Sequence, residues 1–199
     1  MKILVADLEG VFLPEIWINV ALKTGIEELK LTTRDISDYD VLMTKRLAIL
    51  EENNLTLKDI QDVIATLDPL DGARETLDWI REKTQIIILS DTFEEFAGPL
   101  MAKLGYPALL CHSLTVDGKG KITDYNLRID NQKTRAVKAL KSLNYHVIAF
   151  GDSYNDTGMI QAADQGFFFK PPESIKTDFP GIPITRNYDE LKSMISGLL

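Results

Sequence analysis

Asp7-Leu8-Glu9-Gly10-Val11 sets two carboxylates two residues apart, directly after the apolar run 2–6. A carboxylate at the end of a strand can attack phosphorus and hold a phosphoryl group as an acyl phosphate. Side chains of an extended chain alternate in direction, so Glu9 returns to the side of Asp7. There it can donate a proton to a leaving oxygen and then take one from attacking water. The same residues suit a strand-end turn equally well, since acids and glycine are favoured there.

A second constellation, Gly151-Asp152-Ser153-Tyr154-Asn155-Asp156, follows the run 146–150. Two aspartates four apart at a strand-to-helix turn suit a hard cation with oxygen ligands. They also suit a helix N-terminus, with Asp152 or Ser153 as cap and Asp156 complementing the dipole. Each motif alone leaves the choice open; both together, each behind a strand, are a rarer coincidence. Ser90-Asp91-Thr92 closes the run 85–89, where a hydroxyl and free amides at a helix start form a phosphate-oxygen site, or simple caps. Lys133 opens a later helix and could neutralise phosphate charge, or be a solvated lysine like Lys138 and Lys141.

Arg46 interrupts an apolar stripe made by Leu42, Met43, Ile49 and Leu50, which Lys45 does not. A buried-facing arginine wants an anion, which an internal ion pair also provides, unless the guanidinium snorkels past the stripe. Glu15 follows Pro14 in a helix first turn, where an acid complements the dipole. His112 and His146 have no partner pattern and read as structural. Trp17, Tyr39 and Phe167–Phe169 read as packing, and the single cysteine, Cys111, as a small buried residue.

The elements that must position these groups are legible in the periodicity. Runs 2–6, 85–89, 146–150 and 166–169, with a weaker one at 182–185, lack polar alternation and read as strands buried on both faces. Helical patterns fall at 73–80, 92–104, 136–143 and 191–198. The alternation predicts an α/β fold, a Rossmann-like parallel sheet with helices on both faces and ligands at the carboxyl ends of the strands. Residues 13–70 hold only helical patterns, near 14–24, 38–52 and 56–67. They are expected to form a helical cap over a core of 1–12 and 71–199, and 113–129 a β-hairpin flap.

The 199 residues are 45% hydrophobic and 26% charged, the composition of a globular domain, and the net charge is −8. That charge argues against nucleic acid or anionic lipid as a partner. One cysteine excludes an intrachain disulfide and a cysteine zinc cluster. The opening MKILVADLEG is too short in apolar residues for a signal peptide, and no stretch approaches the roughly 20 of a membrane span. A cytoplasmic protein, monomer or homodimer, is expected.

Asp7-Leu8-Glu9-Gly10-Val11, Ser90, Lys133 and Gly151-Asp152-x-x-x-Asp156 resemble, in order and setting, the haloacid dehalogenase-like phosphatases. The resemblance implies Mg²⁺ as cofactor, Asp7 as nucleophile and Glu9 as acid/base. It places Asp7, the Glu9 main-chain carbonyl and Asp152 on the metal, with Asp156 behind them, and Ser90 and Lys133 on the phosphoryl group. The helical insertion is similar to the lid of the phosphoserine phosphatase branch, which maps Glu15 and Arg46 onto the ammonium and carboxylate of phosphoserine and Asn155 onto its phosphate side. Glu9 stands where that branch usually has aspartate, and Asp91 where it usually has glycine. These departures, with the stretches PEIW, TTRDI, LSDTF and LLCH, are similar to the bifunctional phosphoserine phosphatase/homoserine phosphotransferase subgroup, in which homoserine or water accepts the phosphoryl group. Asp91 is thereby expected near the substrate. The competing readings are a phosphatase for another small phosphomonoester, a phospho-accepting signalling domain, and a hydrolytic dehalogenase.

Overall fold

The computed structural model describes residues 1–33, 35–36 and 38–199. Among them runs a seven-stranded sheet in the order β4-β3-β2-β1-β5-β6-β7. Its strands are β1 (Lys2–Ala6), β2 (Gln85–Phe93), β3 (Ala108–Val116), β4 (Ile122–Asn126), β5 (His146–Gly151), β6 (Gln165–Phe169) and β7 (Ile184–Thr185). All neighbouring pairs are parallel except β3 and β4. β1 lies between β2 and β5, and the chain builds outward from it in both directions. The edge between β1 and β5 is therefore where strand order reverses, the place where such sheets open a crevice for ligands.

The unbroken apolar runs exist because both faces of each strand are covered. Leu4, Ala6, Ile88, Ile148 and Phe150 turn to one face, against α4 (Ala73–Arg81), α5 (Glu94–Lys103) and α9 (Tyr188–Leu198). Their neighbours Ile3, Val5, Leu89, Val147 and Ala149 turn to the other, against α6 (Gln132–Ser142), α7 (Thr157–Ala162) and α8 (Glu173–Asp178). Alternate residues of one strand thus belong to two separate cores.

Three helices precede α4: α1 (Ile16–Thr24), α2 (Tyr39–Glu52) and α3 (Leu57–Ala65), with a short 3₁₀ turn at Glu27–Lys30. Asp38 caps α2 by accepting the amides of Asp40 and Val41, and Thr56 and Asp59 form a reciprocal cap on α3. The helices join the first core through Trp17, Met43, Leu50, Ile60 and Ile64. The Trp17 and Phe96 rings meet edge to face at 5.7 Å, and Gln61 donates to the Glu95 carbonyl at 2.7 Å.

Three local expectations are corrected. The helix expected from residue 92 starts at Glu94, because β2 runs on through Phe93 and pairs with His112 past an irregularity. Ser90 and Asp91 are therefore strand residues and cap no helix. The hairpin expected at 113–129 is real, but its first arm is the far end of β3, whose start is a core strand beside β2. Its polar outer half masks that strand in the sequence. The run at 182–185 supplies only the two residues of β7. Among the described residues no helix is long and apolar enough to cross a membrane.

Candidate active site

Asp7 is the first residue past β1, and its amide still bonds the Phe150 carbonyl of β5 at 3.1 Å. The chain then folds back tightly: Gly10 donates to the Leu13 carbonyl at 2.8 Å, and Phe12 and Leu13 both donate to Leu8. Gly10 sits at φ +76°, and a Cβ there would lie 2.4 Å from Asp152 Oδ2. Glycine is required twice over, by the left-handed backbone and by the carboxylate pressed against it.

Asp7, Asp152 and Asp156 are all buried and can each turn an oxygen to within 4.8 Å of the others. The three come together because β1 and β5 are adjacent. Lys133, in the first turn of α6, joins them from the second core: its Nζ is 2.9 Å from Asp7 Oδ1 and 2.7 Å from Asp156 Oδ1. The other Asp156 oxygen accepts the amides of Asp152 and Ser153, each at 3.0 Å. Burial and the like charges of Asp156 and Asp152 hold the Asp7 carboxyl well above the usual carboxylate range, against the pull of Lys133. Burial alone would lower the Lys133 ammonium, but Asp156, Asp7 and Asp91 outweigh it and keep it charged. Three buried carboxylates against one lysine is a donor set of hard oxygens with charge to spare for a divalent cation.

Ser90 is buried beside them, and its hydroxyl oxygen accepts the Thr92 amide at 3.3 Å, leaving its own proton for an incoming oxygen. Asp91 Oδ2 accepts from Asn155 at 3.1 Å and stands 3.7 Å from Lys133 Nζ. Asn155 itself is exposed.

Glu9, together with Glu15, Trp17, Tyr39, Leu42 and Arg46 of the insertion, lines the other side of this cleft. Glu9 Oε2 accepts the Ile16 amide at 2.8 Å, which stands the carboxyl at the start of α1. Burial first, and the nearby Glu15 charge second, push Glu9 up to about 7. Glu15 occupies the cap position of α1 but makes no side-chain cap bond, so its carboxylate is not consumed by the helix end.

Arg46 is 7% exposed and lies over the Trp17 ring at 4.5 Å. Its terminal nitrogens reach the Leu31 carbonyl at 2.9 Å and Met43 Sδ at 3.7 Å. Its Nε has no hydrogen-bond partner, and it makes no ion pair within 4 Å among the described residues. Burial lowers it only to about 10, so the charge persists at neutral pH. The internal ion pair that its sequence position left open is not formed there.

Four neighbours escaped the sequence reading. Tyr39 and Trp17 looked like packing, yet Tyr39 donates to the Asp91 carbonyl at 3.0 Å and Trp17 supports Arg46. Gln132 bonds the Ser90 carbonyl at 2.5 Å, and the buried His112 faces Asp91 at 3.6 Å. The position of Gln132 beside Lys133 was a usable signal; His112, on a strand hidden in the sequence, offered none.

A family model described as haloacid dehalogenase-like hydrolase matches residues 2–164. Phosphoserine phosphatase ThrH of Pseudomonas aeruginosa is 56% identical over 192 residues, covering 96% of this chain and 94% of that protein. A phosphoserine phosphatase of Pseudomonas syringae pv. tomato is 55% identical over 192 residues, covering 96% and 81%. The crystal structure of a phosphoserine phosphatase in apo form superposes with a TM-score of 0.78 at 22% identity, covering 96% of this chain and 98% of that one. A structure described as a phospho-aspartyl intermediate analogue of phosphoserine phosphatase gives 0.76 at 22%, covering 97% and 98%. At such identity the likeness is one of fold.

Proposed function

This chain belongs to the haloacid dehalogenase-like hydrolases, and from there we propose that it is a phosphoserine phosphatase that forms an aspartyl phosphate on Asp7, uses Mg²⁺, and passes the phosphoryl group to water or to homoserine. One observation carries the choice of substrate. A buried, charged Arg46 with an unpartnered Nε faces the same cleft as the Asp7–Lys133 pair. It calls for an anion that is not the phosphate, and the carboxylate of an amino acid answers it with two parallel hydrogen bonds. Glu15, uncommitted at its helix end, lines the same cleft and suits the ammonium.

In this reading residues 13–70 form the cap, over a core of 1–12 and 71–199. Asp7 attacks the phosphorus in line. Ser90 and Lys133 bind the equatorial oxygens, where charge accumulates. Asn155, at the rim, supports the phosphate side. The carboxylate cluster fits Mg²⁺, which Asp7, the Glu9 carbonyl and Asp152 would hold, Asp156 behind them; bound there, it would neutralise charge on the phosphoryl oxygens. Both Asp156 oxygens are already engaged by Lys133 and two amides, which supports its place behind the ligands.

Glu9 protonates the serine oxygen as it leaves. It then takes the proton from water, or from the homoserine hydroxyl entering where serine left. The cap limits bulk water, the competitor of any alcohol acceptor.

The test is incubation with phosphoserine and Mg²⁺, with and without homoserine, followed by phosphorus NMR. Inorganic phosphate is expected in both, and phosphohomoserine in the second. Asp7→Asn is expected to abolish both products. Turnover retained in Asp7→Asn overturns the nucleophile, and absence of phosphohomoserine overturns the transfer alone.

A further inference from the structure

Lys133 carries three N–H donors. Two go to Asp7 and Asp156, at 2.9 and 2.7 Å. The third has Asp91 Oδ2 in its neighbourhood at 3.7 Å, beyond hydrogen-bond range. A carboxylate this close to a buried ammonium would ordinarily close on it. If it did, it would occupy the donor that a phosphoryl oxygen needs.

Asp91 is held by other donors on both of its oxygens. Asn155 Nδ2 bonds Oδ2 at 3.1 Å and Gln132 Nε2 bonds Oδ1 at 3.4 Å, while His112 Nε2 faces Oδ1 at 3.6 Å, an electrostatic contact longer than a hydrogen bond. The His112 ring is itself fixed. It is buried on β3, and the Arg128 amide donates to its Nδ1 at 3.2 Å. A nitrogen that accepts carries no proton, so the ring proton sits on Nε2, the atom aimed at Asp91. Arg128 is anchored in turn by the Cys111 carbonyl and by Gln132 Oε1, both at 3.2 Å.

We propose that His112 is a positioning residue: held by the Arg128 amide, its Nε2–H attracts Asp91 Oδ1 and keeps the carboxylate from closing the last step onto Lys133, so that the third lysine N–H stays available to the transferring phosphoryl group. This rests on the phosphotransfer reading of Asp7, and it makes Asp91 a framework group instead of a substrate ligand. The carboxylate is a permanent anion: burial pushes it up, but Lys133, His112 and Asn155 together hold it well below the usual range.

The test uses hydrolysis of p-nitrophenyl phosphate with Mg²⁺, which probes the phosphoryl centre whatever the natural substrate. His112→Asn keeps an acceptor for the Arg128 amide but has no donor that reaches Asp91. It is expected to lower kcat/KM about tenfold, mainly through KM, with weaker competitive inhibition by inorganic phosphate; tenfold corresponds to about 1.4 kcal/mol. His112→Gln, whose amide nitrogen falls near the Nε2 position, is expected to stay within about threefold of the parent. With Asp91→Asn as background the carboxylate is gone, so adding His112→Asn is expected to cost less than about twofold more. Unchanged kinetics in His112→Asn, or the same loss in both backgrounds, overturns the proposal. A parent enzyme that hydrolyses neither p-nitrophenyl phosphate nor phosphoserine overturns the phosphotransfer reading itself, and this proposal with it.

Discussion

Asp156 takes the Lys133 ammonium on one oxygen at 2.7 Å and two backbone amides on the other, with 0% and 3% of the two side chains exposed. The lysine is thus held between two buried carboxylates, Asp156 on one side and Asp7 on the other. The arrangement fixes a positive charge next to the nucleophile without neutralising it.

Asp156→Asn should therefore be chiefly a folding defect. Removing one partner of a buried pair strands the other charge and typically costs about 3–5 kcal/mol. A fall of that size in the urea-unfolding free energy is expected, with weaker Mg²⁺ binding as the secondary effect. A stability within about 1 kcal/mol of the parent, the size of an exposed pair, would show that the pair carries no such burden.

Two glycines separate backbone strain from site geometry. Gly10 and Gly25 have almost the same φ, +76° and +75°, but a Cβ meets Asp152 at Gly10 and nothing within 4 Å at Gly25. Gly25→Ala is expected to lose roughly 1–2 kcal/mol of stability, the cost of a left-handed alanine, and to keep its activity. Gly10→Ala should lose that and also displace Asp152, so the Mg²⁺ concentration for half-maximal activity should rise at least tenfold. Equal Mg²⁺ dependence in the two variants counts against Asp152 as a metal ligand.

Arg46→Ala should raise KM for phosphoserine about 10–100-fold, the loss of charge-assisted hydrogen bonds worth about 1.5–3 kcal/mol. Hydrolysis of p-nitrophenyl phosphate, which has no carboxylate, should change little. Parallel losses on both substrates would remove the amino-acid role and favour another phosphomonoester.

The pH dependence should depend on the leaving group. Glu9 is pushed up to about 7, so it carries its proton below that pH and loses it above. A cation bound beside Asp7 pulls the midpoint lower. Phosphoenzyme formation from phosphoserine, whose serine oxygen needs a proton, should fall as pH rises through about 7 or somewhat below. With p-nitrophenyl phosphate, whose leaving group departs as a stable anion, rapid-quench measurements should show no such fall. Identical profiles would take the acid role from Glu9.

The sheet was legible because strands buried on both faces cannot afford polar residues, and 2–6, 85–89 and 146–150 have almost none. The site followed from it, since residues ending neighbouring parallel strands must converge; that is how Asp7 and Asp152 come together from opposite ends of the chain. What stayed hidden was set by contacts between distant segments. β3 changes halfway from a covered core strand to the arm of a hairpin, so neither pattern runs long enough to be read. Nothing near His112 in sequence announces Asp91 or Arg128. Tyr39 and Trp17 were read correctly as packing residues, yet each also holds a polar group that only the folded chain brings to it.

The joint between Trp17 and Phe96 bears on how the cleft admits a ligand. The insertion is also stitched to the rest of the molecule by Gln61 on Glu95, Leu57 on Gly120 at 2.8 Å, and Tyr125 on Asp40. Swinging all of it outward would expose a tryptophan and a phenylalanine at roughly 1.5–3 kcal/mol or more apiece, and break those bonds besides. A partial opening that leaves the Trp17 joint shut is far cheaper. Entry and exit then resemble a window in a fixed wall more than a door on a hinge, and traffic would be slowed most by bulk added at the rim.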